Sequence, residues 1–347
     1  MLVVVSHAWT WSKPYASAPT ILDRIRIEFM GGLGVDIFFC LSGFIMMWTV
    51  TDAAPALSKG IRFFAKRMQR IYPIYLICLS AIVVPSLIWQ HGAIDSARIL
   101  FLIRNALLLP GLPSEPEYRM LLFPAWTLVY EMYFYLVFAI CVVAIPKRYL
   151  AYGLAMALIF IFSVSHLIIG YGPRLAWVNI THIIGDPLIL NFLVGSLIAH
   201  FGRRFVDTFT GAGAKYFALA LSILVCAVGY YVFTGYPRII KFGIPAMIVV
   251  ALSCVCSVRR GRLNDALVYL GNASYSIYLT HIFAFELTGR AAALFGGNPF
   301  LVFGTIIILA TLLGCVVYSL LEKPITQGLK SISARKKPKE DVLLHSA

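Results

Sequence analysis

The chain has 347 residues, of which 60% are hydrophobic and only 13% are charged, and its mean hydropathy is +0.85. A soluble domain of this length is roughly half apolar and a quarter charged, so the composition excludes a soluble enzyme and predicts an all-α polytopic membrane protein. The net charge of +14 would suit a nucleic-acid-binding protein, but we expect no nucleic acid, because the positive charges are distributed as in membrane proteins.

Apolar runs close to the roughly 20 residues that cross a bilayer recur along the chain and predict about ten transmembrane helices. The opening run is the shortest, and the weaker run 99–110, which contains Arg104, is predicted to be a surface or re-entrant helix. All seven cysteines lie in apolar runs without a C-x-x-C pair, so neither a metal site nor a disulfide framework is expected. The predicted spans are residues 1–11, 33–51, 71–90, 124–145, 149–169, 183–200, 215–234, 239–257, 268–288 and 300–321.

Lysine and arginine are concentrated in alternate connections between the predicted spans, and the positive-inside rule then places both termini in the cytoplasm. We divide the chain into a membrane domain, residues 1–323, and a basic cytoplasmic tail, residues 324–347. The tail is expected to be disordered and to lie against membrane lipid. The residues that set this orientation are Lys59, Arg62, Lys66, Arg67 and Arg70; Lys147 and Arg148; Arg203, Arg204 and Lys215; Arg259, Arg260 and Arg262; and Lys323, Lys330, Arg335, Lys336, Lys337 and Lys339.

His7 lies in the first predicted span, within VVSHAW. A histidine among apolar residues sometimes does no more than hydrogen-bond to a neighbouring helix. Polar residues inside spans are functional by default, however, and an imidazole titrates near neutral pH, which suits a general base. His7 is therefore the first candidate for a catalytic base.

Asp36 lies in the stretch GGLGVDIFFCLSGFIMMW, residues 31–48. An ionised carboxylate costs roughly 2.5–3.5 kcal/mol at the centre of a membrane helix, so its presence requires a reason. Two interpretations stay open. Asp36 caps a helix N-terminus at the membrane surface, or it faces a ligand or backbone that the neighbouring glycines allow to approach closely.

The run RFFAKRMQRIYPIY combines four basic residues with two tyrosines. Arg62, Lys66 and Arg70 recur at i, i+4 and i+8 and so share one face of a helix, with Arg67 beside it. A positive-inside flank would explain the charge alone. An aligned basic face next to Tyr75 is also typical of a site that binds a polyanion such as a phosphate-bearing cofactor.

Glu131 lies well inside a predicted span, in AWTLVYEMYFYLVF, where it follows Trp126 and precedes Tyr133. An aromatic belt at the membrane surface would explain the tyrosines and the tryptophan, but a belt does not require a carboxylate. We therefore interpret Glu131 as a buried acid that is hydrogen-bonded to a basic or hydroxyl partner.

Together these motifs resemble those of the integral-membrane acyltransferase-3 family, ten-span enzymes that O-acylate polysaccharides and other cell-surface glycans. The resemblance rests on VVSHA, GVDIFFCLSGF, KRMQRIYPIY, WTLVYEMYFY and GNASYSIYLTH, which follow the family's order from the start of the chain to the segment that ends at His281. The second motif and RIYPIY are most similar to those of exopolysaccharide-production acyltransferases.

The resemblance implies a protein of the bacterial inner membrane that transfers a short acyl group, acetyl or succinyl, from cytoplasmic acyl-CoA to a hydroxyl of a lipid-linked or periplasmic glycan. It implies a histidine base oriented by a carboxylate beside a polar central pore, and no metal. The implied catalytic residues are His7, Asp36 and Glu131, with His281 as the reserve base. The implied donor-binding residues are Arg62, Lys66, Arg67, Arg70 and Tyr75, and the implied substrate-contacting or pore-lining residues are Ser42, Trp126, Tyr133, Tyr275 and His281.

The start of the chain departs from the family's pattern. Members carry an arginine in the first span several residues before the histidine, whereas only six residues precede His7. The apolar stretch 1–11 is also about half of the length that crossing a bilayer requires. We therefore expect the functional protein to begin upstream of Met1, with the arginine in that extension.

Two other classes of protein remain as alternatives. Carboxylates and a histidine inside spans also describe the proton relay of a transporter or flippase for polysaccharide precursors. Such transporters often show paired broken helices, and the glycine-rich break at 31–34 has no counterpart in the other half of the sequence. A scaffold for a polysaccharide assembly complex would not require Glu131 or the aligned arginines.

Overall fold

The computed structural model describes residues 1–52, 54–89, 95–169, 178–202, 212–233, 235–255, 261–291 and 297–335. These residues are overwhelmingly helical, and the β pairing recorded within these ranges is one isolated bridge between Gly111 and Asn179. A helix satisfies its backbone hydrogen bonds internally, which is what an apolar segment in hydrocarbon requires. The predicted all-α fold class is confirmed.

The helices are numbered here in chain order. Two π-helical turns, Ile239–Gly243 and Tyr318–Glu322, precede α11 and α15 respectively. The bounds are α1 (Leu2–Ser12), α2 (Ile21–Arg24), α3 (Met30–Thr49), α4 (Leu57–Trp89), α5 (Ser96–Ala106), α6 (Trp126–Ala144), α7 (Lys147–Ile169), α8 (Ile180–Gly185), α9 (Leu188–Gly202), α10 (Ala212–Tyr231), α11 (Ile244–Val255), α12 (Arg262–Asn272), α13 (Ser274–Ala291), α14 (Pro299–Val317) and α15 (Lys323–Arg335).

Several helices of the described residues are long and apolar enough to cross a membrane. The 33-residue helix α4 begins at Leu57, so the basic run and the predicted span 71–90 form one continuous element, with residue 90 outside the described ranges. The five helical stretches of sufficient length are Ile27–Thr49, Leu57–Trp89, Phe123–Ala144, Lys147–Ile168 and Pro299–Ile332, and the shorter apolar stretches are Leu188–Gly202, Tyr216–Tyr231 and Ile239–Cys254.

Two predicted spans are interrupted. The span 183–200 breaks at Asp186 and Pro187, where the Asp186 side chain accepts a hydrogen bond from the Leu188 amide at 2.9 Å. A proline lacks an amide hydrogen and disfavours a helical conformation in the residue before it, so the helix restarts at this point. The span 268–288 divides into α12 and α13 at Ala273. The run 99–110, expected to be a surface or re-entrant helix, overlaps α5, whose 11 residues extend about 16 Å.

The tail differs from its prediction. Residues 324–335, which we expected to be disordered, continue the membrane helix through a π-helical turn into α15. Ile325 packs against the main hydrophobic core, and this apolar contact supports order that a basic composition alone does not predict. Residues 336–347 lie outside the described ranges, as do Arg203, Arg204, Arg259 and Arg260 from the topology count.

The helices α3 and α9 pack backbone to backbone. A Cβ atom at Gly195 would collide with the Cys40 carbonyl, and one at Gly43 would collide with the Phe192 carbonyl. Ser196 Oγ donates to the Gly43 carbonyl at 3.1 Å across the same crossing. The glycines therefore serve close approach of two helices, as small residues commonly do in membranes. On its other side α3 packs against α1, which also contacts α13 and α14.

Candidate active site

A pair of histidines joins helix α1 to helix α13. His7 on α1 and His281 on α13 approach with Nδ1 of His7 2.9 Å from Nε2 of His281, and their rings stack with centroids 5.2 Å apart. His281 is fully buried, whereas His7 is partly exposed. Both were predicted as site residues, and the structure brings them into contact.

The hydrogen bonds determine which nitrogen of His7 is available. His281 Nδ1 lies 2.5 Å from the Tyr278 carbonyl oxygen, and because a carbonyl only accepts, this nitrogen carries the hydrogen. When His281 is neutral, its Nε2 must then accept a hydrogen bond from His7 Nδ1. The lone pair of neutral His7 therefore lies on Nε2. His7 is therefore the partly exposed ring, with its lone pair on Nε2, and His281 is the buried ring that orients it.

Polar side chains continue from the histidines along α6. The Tyr278 hydroxyl lies 3.0 Å from Thr127 Oγ1 and donates to the Pro124 carbonyl at 2.9 Å. One turn further, Glu131 accepts hydrogen bonds from Ser42 Oγ at 3.0 Å and from the Tyr135 hydroxyl. Thr127, Glu131 and Tyr135 recur at i, i+4 and i+8, so they form a line about 12 Å long on one face of α6. We call the line from His7 to Tyr135 the polar track.

The polar track ends at two arginines of α4. Arg67 donates to Thr49 Oγ1 at 3.0 Å, and its guanidinium lies 5.3 Å from the Phe63 ring centroid and 5.8 Å from that of Tyr135. Arg67 and Arg70 both interact electrostatically with the Glu131 carboxylate. The prediction that Glu131 is a buried, hydroxyl-paired acid therefore agrees with its contacts, and Ser42 is one of its partners.

Asp36 has a different environment from the one predicted. It is the seventh residue of α3, whose N-cap is Phe29, so the capping interpretation is wrong. The carboxylate accepts hydrogen bonds from Arg238 Nε at 3.0 Å and Nη2 at 2.5 Å, and from Asn191 Nδ2 at 2.6 Å. Paired in this way and only 1% exposed, it is tolerated because of an ion pair and not because it faces a pore.

The expected carboxylate–histidine pair is absent from the described part of the chain. The hydrogen bonds of Asp36 go to Arg238 and Asn191, those of Glu131 go to Ser42 and Tyr135, and His7 is instead oriented by another imidazole. Arg238 and Asn191 were not predicted as partners of Asp36 from the sequence. Both are polar residues in or next to a predicted span, and that was the signal available.

Tyr75 is not part of the basic face. It lies five residues after Arg70, which on a helix is about 140° around the axis. It is fully buried and donates to the Asn105 carbonyl at 2.5 Å, which corrects its assignment to the donor site. Arg62, Lys66 and Arg70 do lie exposed on α4.

The remaining predicted residues line or support the polar track to different degrees. Tyr275 donates to the Ile71 carbonyl at 2.7 Å and joins α13 to α4. Trp126 is buried with its ring edge against Tyr130. The Tyr133 hydroxyl is buried and has no hydrogen-bond partner among the described residues. Within the described ranges, no hydrogen bond or ring contact is recorded between these three side chains and the histidine pair.

Asp23, in the segment between α1 and α3, holds the end of α1 that lies beyond His7. It accepts a hydrogen bond from Trp9 Nε1 at 3.1 Å and pairs with Lys13 Nζ at 3.1 Å. The Thr20 backbone amide, and then Lys13, hold the pKa of this carboxyl well below its usual range. Asp23 therefore stays ionised at neutral pH and keeps α1 in position.

Apolar helices of membrane-spanning length pack with the two helices that carry the histidine pair, and together they present the polar track and the basic face. This arrangement suits an integral-membrane acyltransferase. The acyltransferase domain family matches residues 1–320, and the chain belongs to that family. This match confirms the resemblance found in the motifs.

Three curated relatives are similar over most of the chain. The exopolysaccharide production protein ExoZ of Rhizobium meliloti is 29% identical over 85% of this chain and 90% of its own length. The acyltransferase MdmB of Streptomyces mycarofaciens is 25% identical over 79% of this chain and 72% of its own. The O-acetyltransferase OatA of Staphylococcus aureus is 23% identical over 94% of this chain and 58% of its own. No solved structure gives a significant match.

The Asp36–Arg238 pair yields a stability prediction. We expect Arg238→Ala to destabilise the folded protein by about 3–5 kcal/mol, because it leaves a buried carboxylate without its counter-ion. The double variant Asp36→Asn with Arg238→Gln should recover most of the loss. Thermal unfolding of purified protein in detergent measures both, with the exposed Arg24→Ala as the control. An unfolding temperature for Arg238→Ala equal to that of the control would contradict the assigned role.

Proposed function

We propose that the protein transfers a short acyl group, acetyl or succinyl, from cytoplasmic acyl-CoA to a hydroxyl of a cell-surface or exopolysaccharide sugar. Similarity to an exopolysaccharide production protein supports the polysaccharide acceptor, and similarity to an O-acetyltransferase supports transfer of a short acyl group to a hydroxyl. The observation that carries the proposal is the His7–His281–Tyr278 hydrogen-bond chain, which leaves the His7 Nε2 lone pair on the accessible histidine.

A sugar hydroxyl is a weak nucleophile, and His7 Nε2 takes its proton while the oxygen attacks the thioester carbonyl. A carbon–oxygen bond forms, the carbon–sulfur bond breaks, and the imidazolium returns the proton to the departing thiolate. His281 holds the His7 Nδ1 hydrogen throughout, as the carboxylate does in a Ser-His-Asp triad. In this proposal the neutral His281 ring orients the base, a role that was expected of a carboxylate. His281 is itself oriented by the hydrogen bond from its Nδ1 to the Tyr278 carbonyl.

The donor enters at the basic face in this proposal. Arg62, Lys66, Arg67 and Arg70 bind the phosphates of the coenzyme, and the acyl-bearing arm extends along the polar track toward His7. Glu131 keeps Arg67 and Arg70 in place through the electrostatic interactions described above. The polar track is then one wall of the predicted central pore.

Ten spans with both termini in the cytoplasm are part of the same proposal, because they place the basic face on the side where acyl-CoA is made. Reporter fusions test this topology. A fusion after Arg335 should be active as a cytoplasmic reporter, and one inserted at Ala16, after α1, only as a periplasmic reporter. The reverse pattern would place the basic face away from the donor and refute the proposed direction of transfer.

His7→Ala should reduce acyl transfer by about two orders of magnitude or more, as loss of a general base usually does. At position 281, Gln retains a hydrogen-bond acceptor for His7 Nδ1 and Leu does not. We therefore expect His281→Gln to keep more activity than His281→Leu, with the same quantity of inserted protein. Transfer of radiolabelled acetyl groups in membranes measures all three. Near-normal activity of His7→Ala, or equal losses for Gln and Leu, would contradict the assigned roles.

Arg67→Ala should mainly raise the KM for acyl-CoA, because the interaction of Arg67 with the phosphates is equally strong in the ground state and in the transition state. Arg67→Lys should remain impaired, since one ammonium group does not reproduce the bidentate guanidinium. Steady-state kinetics in reconstituted membranes separate KM from kcat, with the exposed Arg148→Ala as the control. An unchanged KM together with reduced expression would identify Arg67 as a topological anchor.

A further inference from the structure

Two helices extend side by side from the basic end of the polar track. Tyr275 bonds to Ile71 of α4, and Ser276 Oγ donates to Glu322 Oε2 at 2.5 Å, so Ile71, the start of α13 and Glu322 lie at one level. From this level α4 extends back to Leu57 and α15 extends forward to Arg335, each by about 20 Å. The two helices pack against one another. They therefore form a pair of walls beyond the track.

These two walls carry only positive charge. Neither residues 57–70 nor residues 323–335 include an aspartate or a glutamate. A surface with one sign of charge attracts ligands of the other sign, most strongly where two walls face a shared space. The basic residues of the walls are Lys59, Arg62, Lys66, Arg67 and Arg70 on α4 and Lys323, Lys330 and Arg335 on α15.

The basic face of α4 lies close to the start of α15. Arg70 interacts electrostatically with Glu131 on α6 and also with Glu322, the residue that precedes α15. Arg62 shares the face of Arg70 two turns away. Lys330 lies eight residues beyond Glu322, as Arg62 lies eight residues before Arg70, so each lies about 12 Å along its own helix from the level of Arg70 and Glu322. Both side chains are exposed.

We propose that α15 is the second wall of the donor site and that Lys330, opposite Arg62, binds phosphate groups of a coenzyme A thioester. This inference rests on the proposed function. Arg67 is held at the inner end of the site by Thr49 and Tyr135. The exposed cations lie further out. This separation suits a donor whose phosphates and thioester are joined by a long flexible arm.

The test is binding of coenzyme A to the full chain in nanodiscs of neutral phosphatidylcholine at low salt. Lys330→Gln should weaken the affinity by about three- to tenfold, the range for one charge-assisted hydrogen bond to phosphate. Arg148→Gln is the matched control, because it removes one exposed positive charge from α7, which packs against α6, α8 and α9. The loss at Lys330 should shrink in high salt, where exposed charges are screened.

Equal affinities of Lys330→Gln and Arg148→Gln for coenzyme A would overturn the inference while leaving the proposed function intact. A wild-type protein that does not bind coenzyme A would instead refute the proposed donor. Anionic lipid is the other source of phosphate. If Lys330→Gln abolishes a stabilisation by phosphatidylglycerol nanodiscs, measured as a shift in Tm, without changing coenzyme A affinity, then α15 binds lipid headgroups and the donor-wall assignment is wrong.

Discussion

Hydrocarbon offers no partner to a polar side chain, and the arrangement of the helices around the site follows from that constraint. Asp36 is accommodated because Arg238 and Asn191, from two other parts of the chain, occupy its oxygens. Glu131 is accommodated because Ser42 and Tyr135 do the same. Each of these carboxylates joins separate elements by directional hydrogen bonds, whereas apolar packing alone is not directional. The polar contacts therefore fix how the helices are aligned as well as where the polar groups lie.

The histidine pair satisfies this constraint without a net charge. A buried carboxylate next to His7 would require a counter-charge, whose desolvation is costly even when the pair is well formed. The His281 ring accepts a hydrogen bond from His7 through Nε2 and donates one to a backbone carbonyl through Nδ1, so the resting arrangement is neutral. Asp36 and Glu131 are instead placed where arginines are available, at Arg238 and near Arg67.

Candidate site residues could be predicted from the sequence where a polar residue interrupts an apolar run. Contacts between residues far apart in the sequence could not be predicted. His7, His281, Glu131 and Ser42 each interrupt an apolar run, and all four lie in the site. Arg238 could not be matched with Asp36, because the two are 202 positions apart and meet only through packing. Tyr75 was misassigned because proximity in sequence was given more weight than its angle around the helix. The order of residues 324–335 depends on the tertiary contact of Ile325, which composition does not reveal.

The contact between His7 and His281 also determines when the His7 ring is oriented during synthesis of the chain. The two rings are 274 positions apart, so α1 is made long before α13, and its imidazole is oriented only after the intervening helices have been made. Until then His7 belongs to a short helix of 11 residues with no partner from α13 or α14. A partly made chain that stops before α13 therefore lacks the imidazole that orients His7, and the proposed base is not oriented until α13 is in place.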